Sequence, residues 1–456
     1  MSVNIVSKEK VEIQPQNAPS TLNSAFSFRN GNPIINLVIP SQAKYLESSS
    51  LRINGTLTIK GGAAGLRPNN LTSKVVLAQN RIRIASRAGI SSVFQNVVLS
   101  AANTNQSLES IRQYGRLATS ILSSTHSQQD MMSEKSCTAV MNGLDASSSL
   151  LVNNDVRFSI PLYAGMLMGS SLIPLSAVGG LAIQLELAAD NQFLHGADAA
   201  LQGGAFYELS DVSLSCNLAV PDAQGVAELS NVGSGQISYN SWSSLYQVIN
   251  ASDFTATMNL SNSRVLSVAH NFIPVSHSNN YGFDSFTTGE LKNAVGGVYN
   301  ADVVLKRVSF ARGGVRLALE YEMDCEKQSG ERIPEAQVIQ NYLNAYGTMG
   351  RMLNGRLLLG YGGNHLRPDR PDHAVDQTPT AFNGKRSVGV LADARRNFGV
   401  GLDLDPISDV GMDFRNSAYS VRIVSTLNGD SPNAMHTHLL SKNVLTYSPQ
   451  GILIST

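Results

Sequence analysis

"SLIPLSAVGGLAIQLELAAD", residues 171–190, is the stretch whose reading decides the fold. It continues a run, 158–184, that holds no charged residue and is long enough to cross a bilayer as a helix. Pro161, Pro174, Gly165, Gly169, Gly179 and Gly180 break that run into short pieces that a spanning helix would not tolerate together. In its last piece Leu181, Ile183, Leu185 and Leu187 alternate with Ala182, Gln184, Glu186 and Ala188, a repeat of two residues and not of 3.6. The stretch therefore predicts a strand with one buried face, and no transmembrane segment.

The same alternation recurs on both sides of it. It places Leu51, Ile53, Leu57 and Ile59 on one face, and Val212, Leu214, Cys216, Leu218 and Val220 on another. Val315, Leu317, Leu319, Tyr321 and Met323 follow, then Phe398, Val400, Leu402 and Leu404, then Val421, Ile423 and Leu427. Cys216 reads as a small core residue. The loops 61–73, 123–155 and 360–384 are long and turn-rich, the places where a β scaffold meets partners. Helical spacing stands out twice. In "LESIRQYGRLATSIL" it joins Leu108, Ile111, Leu117 or Ala118, and Ile121 around Tyr114; in "PEAQVIQNYLNAYGTM" it joins Val338, Tyr342, Ala345 and Met349 behind Pro334. Strand, polar loop and short amphipathic helix thus occur once per half, and Tyr114 and Tyr342 lie half the chain apart.

With 456 residues the chain exceeds one ordinary core and calls for two or three domains. Lys and Arg together number 34, as do Asp and Glu, which excludes a molecule drawn as a whole to nucleic acid or anionic lipid by its charge. Charged residues make up 15%, below the usual quarter, as suits β-rich chains with uncharged polar faces. Strand signals lapse at 221–236, "PDAQGVAELSNVGSGQ", which reads as a linker. The expected layout is a first sandwich over 23–220 and a second over 237–456. All-β halves of this size are commonly jelly rolls of eight strands.

Cys137, Cys216 and Cys325 are far apart and form no C-x-x-C pair, so neither a disulfide framework nor a zinc knuckle is expected, and a reducing compartment fits. The N-terminus shows no apolar stretch of a secretory signal, and the sequons at Asn54 and Asn259 are expected to be unused. Candidate chemistry is thin. Glu320, Glu322 and Asp324 share a strand face, as do Asp403 and Asp405, and both sets read as solvated faces. His436 and His438 have the spacing of two metal ligands on one strand but follow the turn signal "NGDSPN", so an exposed loop end is expected. "GYGGNH" at 360–365 lacks the spacing of a phosphate loop, and no G-x-S-x-G elbow occurs. Arg81, Arg83 and Arg87, Arg367 and Arg370, and Arg395 and Arg396 form local basic clusters that read as surface charge, with packaged nucleic acid or a neighbouring subunit as the alternative. No catalytic, cofactor-binding or metal-binding residue is assigned.

The order of these segments resembles the double jelly-roll major capsid proteins of tailless icosahedral double-stranded DNA viruses, most of all those of polinton-like viruses and virophages. "NPIINLVIPSQAKYLESSSLRINGTLTI" is similar to the family's first two strands, and "VFQNVVLSAANTNQSLESIRQYGRLATSIL" to its strand and tyrosine-bearing helix. "VRFSIPLYAGMLMGSSLIPLSAVGGLAIQLELA" carries Pro161-Leu162 and Ile173-Pro174-Leu175 where the family has its Pro-Leu pairs. "GERIPEAQVIQNYLNAYGTM", "NFGVGLDLDPISDVGMDFRNSAYSVRIVSTL" and "LLSKNVLTYSPQGILI" resemble the later helix, strand pair and last strand. The resemblance implies two tandem antiparallel jelly rolls, each with a short amphipathic helix. It also implies a non-enzymatic shell protein without cofactors, whose homotrimers form pseudo-hexagonal tiles, meeting along the long loops. Its partners would be neighbouring capsomers, penton and minor capsid proteins, with packaged DNA or an inner membrane at the inner face and a host receptor outside. It would be made in the host cytoplasm and reside in the virion, its arm at 1–22 ordered only on assembly. Competing readings are a minor capsid or spike protein and a β-sandwich carbohydrate-binding or hydrolytic protein, the latter disfavoured by a single tryptophan, Trp242.

Overall fold

The computed structural model describes residues 4–18, 25–60, 84–85, 88–125, 155–169, 172–195, 204–230, 234–317, 323–324, 341–346, 399–405, 410–448 and 451–455. The first half contributes strands β1 (Ile5–Ile13), β2 (Ile34–Ile39), β3 (Tyr45–Glu47), β4 (Arg52–Lys60), β5 (Phe94–Ala101), β6 (Ser107–Arg112), β7 (Asp155–Pro161), β8 (Leu172–Pro174), β9 (Leu181–Leu187) and β10 (Phe206–Pro221). They form two facing sheets. One runs β7-β4-β10-β3-β8, with β1 along the other side of β10, and the other runs β2-β9-β5-β6. Helices α1 (Tyr114–Thr125), α2 (Leu175–Val178), α3 (Asp190–Phe193) and α4 (Ala223–Ser230) complete this half.

The second half contributes β11 (Gly235–Ile249), β12 (Asp253–Met258), β13 (Val265–Pro274), β14 (Lys292–Val295), β15 (Val298–Asp302), β16 (Leu305–Arg312), β17 (Val315–Arg316), β18 (Met323–Asp324), β19 (Val400–Asp403), β20 (Tyr419–Ser425), β21 (Asn433–Ser448) and β22 (Gly451–Ser455). One sheet runs β11-β21-β13-β19 with β22 beside β21, the other β12-β20-β16-β17 with β18 beside β16, and β14 pairs β15 as a hairpin. Strands up to Pro221 pair only among themselves, and so do those from Gly235 on. Every strand ladder described is antiparallel. Short edge pieces and the hairpin take each half past eight strands.

In the stretch quoted first, β8, α2 and β9 follow one another, and Leu181, Ile183, Leu185 and Leu187 are buried while Gln184 faces solvent. No described helix is long and apolar enough to cross a membrane. Gly180, at φ +82°, turns the chain from α2 into β9 where a Cβ would lie 2.7 Å from the Ile39 carbonyl oxygen, so a side chain is excluded by both conformation and space. The other alternating faces are buried as expected at Leu51, Ile53, Leu57, Ile59, Leu214, Cys216, Val400, Leu402, Val421 and Ile423. Val315 departs from that pattern: it is exposed at the sheet edge in the two-residue strand β17. Leu319, Tyr321 and Phe398 lie outside the described residues.

Three expectations change. The stretch expected to be helical from Leu108 splits, with 107–112 pairing β5 as β6 and the helix starting at Tyr114. Gln113, at φ 56°, makes the break, and its carbonyl then accepts the amides of Arg116 and Leu117 to open α1. Pairing with a neighbouring strand outweighed a coincidental helical spacing. Of the arm expected to be ordered only on assembly, 5–13 forms β1 on β10, from Ile5 opposite Pro221 to Ile13 opposite Leu214. Its backbone fills the ladder, Val11 and Ile13 pack on the core, and its charged residues pair with β3 and its neighbour, Lys8 to Glu47 at 2.9 Å and Glu9 to Lys44 at 2.5 Å. The linker stretch holds α4, whose Gly225 N–H donates to the capping Asp222 Oδ1 at 2.9 Å.

One apolar cluster fills the first half and continues into the second through Trp242, Leu266, Ala269, Phe286, Tyr342, Leu343, Tyr346 and Leu440. A separate cluster, including Val268, Phe310, Val400, Tyr419 and Leu439, fills the second sandwich. The boundary between the halves is therefore an interior and not a hinge.

Candidate functional site at the seam between the halves

Strand β6 ends one sheet of the first half and β11 ends one sheet of the second, and the two edges meet. Edge strands expose unpaired amides and carbonyls that invite pairing. Here the meeting is made by side chains. Glu109 of β6 is buried, and its carboxylate accepts the backbone N–H of Trp242 at 2.7 Å, of Gly165 at 2.8 Å and of Met166 at 3.2 Å. Burial pushes its carboxyl up to about 7, against three amides that favour the anion. Beside it the Tyr239 hydroxyl donates to the Leu108 carbonyl at 3.0 Å. Gly165 allows this approach, since a Cβ there would stand 2.6 Å from the Asn240 carbonyl oxygen.

Helix α1 carries the second part of the seam. Arg116 is fully buried and its guanidinium donates to the carbonyls of Thr287, at 2.7 Å, and Ser285. Burial lowers it to about 10, with Asp284 and Glu290 opposing, so it stays charged at neutral pH. One turn on, the Tyr342 hydroxyl lies 2.6 Å from Ser120 Oγ and donates to Asn271 Oδ1 at 2.6 Å, while Asn271 Nδ2 donates to Ser120 at 3.0 Å. Gly115 of α1 presses against the Phe286 ring, where no Cβ would fit. Further out, Asn191 Nδ2 donates to Asn279 O at 2.7 Å and the Tyr281 hydroxyl to Ala205 O at 2.8 Å. This is an arrangement for holding two sandwiches in one orientation: polar groups buried and paired across the join, which fixes register more than it adds stability.

No protein-family model and no curated protein matches the sequence. Solved structures do match over the whole length. The capsid of the virus PBCV-1 superposes with a TM-score of 0.58 at 11% identity, covering 100% of this chain and 98% of that one. The Faustovirus major capsid protein gives 0.55 at 10% identity, covering 98% and 91%, and the Sputnik virophage structure gives 0.51 at 11%, covering 100% and 89%. The fold is a double jelly roll.

Within the double jelly roll, the residues singled out in the sequence fall in different places. His436 and His438 are not at an exposed loop end: both are buried near the start of β21, which begins at Asn433 directly after the turn. Burial lowers both, His438 to about 3, with the nearby Arg116 charge acting in the same direction, so they are neutral imidazoles in the seam. His438 Nδ1 lies 3.4 Å from Asn271 Nδ2, joining it to the Ser120 and Tyr342 network. Asp405 is buried, and its amide bonds to Asp403 Oδ1 at 3.0 Å, so the pair caps the end of β19 and is not a solvated face. Cys216 is a buried core residue, its thiol pushed up to about 11 by burial. Glu320, Glu322, 360–365 and the arginines at 81, 83, 87, 367, 370, 395 and 396 lie outside the described residues. Among those described, no three His, Cys, Asp or Glu side chains group as metal ligands. Glu109 and Arg116 are the seam residues that sequence reasoning passed over. In the sequence both fall on the polar side of the helical pattern, with Arg112 and Gln113, and so carry no mark of burial.

Proposed function

We propose that this chain is the structural major capsid protein of an icosahedral double-stranded DNA virus, assembling as homotrimers whose six jelly rolls make a pseudo-hexagonal tile. The observation that carries the reading is the seam. Two sandwiches are locked by Glu109, Arg116 and the Ser120–Asn271–Tyr342 network into a single body, as a tile that must keep its shape in a lattice requires. Closed threefold symmetry then repeats two rolls into six. Solved structures that share the fold over the full chain include a PBCV-1 capsid and a Faustovirus major capsid protein, which supports the same role. The first roll is assigned to 23–220 with β1 added at its edge, the second to 237–456, and 221–236 joins them. The work of the chain is assembly and not catalysis. Its partners are its own copies, neighbouring capsomers, and penton and minor capsid proteins, and its place is the virion. Negative-stain electron microscopy of the purified protein tests this: six-sided particles with threefold averages, packing into hexagonal sheets on concentration, are expected. Single two-lobed particles at every concentration would favour a carbohydrate-binding or hydrolytic sandwich instead.

A further inference from the structure

The seam closes only part of β11. Trp242 sends its backbone N–H outward, away from β21, to Glu109. Backbone groups along a strand point alternately to its two sides, so Ser244, Tyr246 and Val248 direct theirs outward as well. Among the described residues nothing takes them: β11 pairs only with β21, and no other backbone bond involves 244–248. This open edge is apolar, with Leu245, Tyr246 and Val248 exposed, where free edges are ordinarily guarded by charge. It borders a groove of about 530 Å³ between the rolls, with Arg112 and Gln113 on one wall, Ser244, Tyr246 and His436 on the other, and Val275 at one end.

Two further features point to an occupant. His436 Nε2 and Ser244 Oγ are buried at this groove without a hydrogen-bond partner, and the His436 residue is only 6% exposed. Unpaired buried polar groups are costly unless something completes them. No lining residue is acidic, and Arg112, exposed at the end of β6, is the one charged group. The groove thus complements a carboxylate.

We propose that this edge is a docking site for an extended segment of a partner polypeptide. That segment would add as a strand to β11 at 244–248, set apolar side chains against Tyr246 and Val248, and place an acidic side chain by Arg112. Addition of a strand to a free edge draws affinity from main-chain bonds and specificity from alternate side chains. This goes beyond the tile and does not depend on it, because binding is read on the purified protein whatever its oligomeric state.

Fluorescence anisotropy with the labelled peptides TVEVTV and TVKVTV tests the proposal. TVEVTV is expected to bind about tenfold more tightly than TVKVTV, a difference of about 1.4 kcal/mol. Arg112→Glu should reverse the order. Ser244→Pro and Val248→Pro each remove an outward N–H without losing a ladder bond to β21 and should abolish binding with the melting temperature retained. Should either proline variant fail to fold, the Arg112→Glu reversal still decides. Equal affinity for the two peptides, no binding, or binding unchanged by proline overturns the proposal. So does slow amide exchange at 244–248 in the free protein, which would mean that another copy or the chain itself already covers the edge.

Discussion

Glu109 sets the terms at the scale of single residues, since one carboxylate gathers three amides from two halves of the chain. Its folded value of about 7 lies above the ordinary 4.5, so the native state holds its proton more tightly than the unfolded chain does. The stability it contributes is then full below about pH 4.5 and is lost as the pH rises through about 7. The melting temperature of the wild type minus that of Glu109→Gln should therefore grow as the pH falls from 8 to 5; a difference that stays flat contradicts this assignment. Arg116 gives a second test. Arg116→Lys keeps the charge but loses the planar fork that reaches Ser285 and Thr287 together, and should cost about 3–5 kcal/mol in denaturant unfolding. A loss below about 1 kcal/mol would mean that the guanidinium geometry is immaterial. Neither role could be read from the sequence. Glu109 and Arg116 look like the polar side of a helix, and what makes them matter is partners 56 to 171 residues away along the chain. His436 and His438 misled for the opposite reason: the turn signal before them was sound, but β21 resumes at once and carries both inside.

At the scale of elements, alternation served well wherever a strand buries one face, as β4, β9, β10 and β20 do. It failed where pairing and not burial makes the strand. In β1 the run Lys8, Glu9 and Lys10 hides the period, yet backbone bonds to β10 need no apolar side chain. Hydrogen exchange on the unassembled protein should accordingly show slow amides within 5–13, at the positions that face β10, and fast exchange throughout that stretch would restore the picture of an arm ordered only on assembly. β6 failed differently, because Leu108 and Ile111, three apart, are spaced as on one helix face and on opposite faces of a strand, and only the pairing with β5 makes the stretch a strand. The turn at Gly165–Leu167 offers a test of the seam as a packed element. Gly165→Ala places a methyl group against the β11 backbone at Asn240 and should lower stability by about 1–3 kcal/mol, with the largest rise in exchange at 239–242. An unchanged exchange rate there would separate the turn from the seam.

Over the whole molecule, a chain of two tandem rolls was readable from the order of motifs across it. What joins the halves was not, because a join built from individual polar pairs leaves no periodic trace. A shared interior, running from the first sandwich through Trp242, Phe286 and Tyr346, joins the two halves. In the proposed reading, three such chains close around an axis and present six barrels to the lattice. The molar mass of the purified protein in solution, by size-exclusion chromatography with light scattering, tests this claim most directly. A species near 146 kDa, three times the 48.7 kDa of one chain, is the expected result. A single peak at the mass of one chain, persisting at the high concentrations at which a shell assembles, would contradict it.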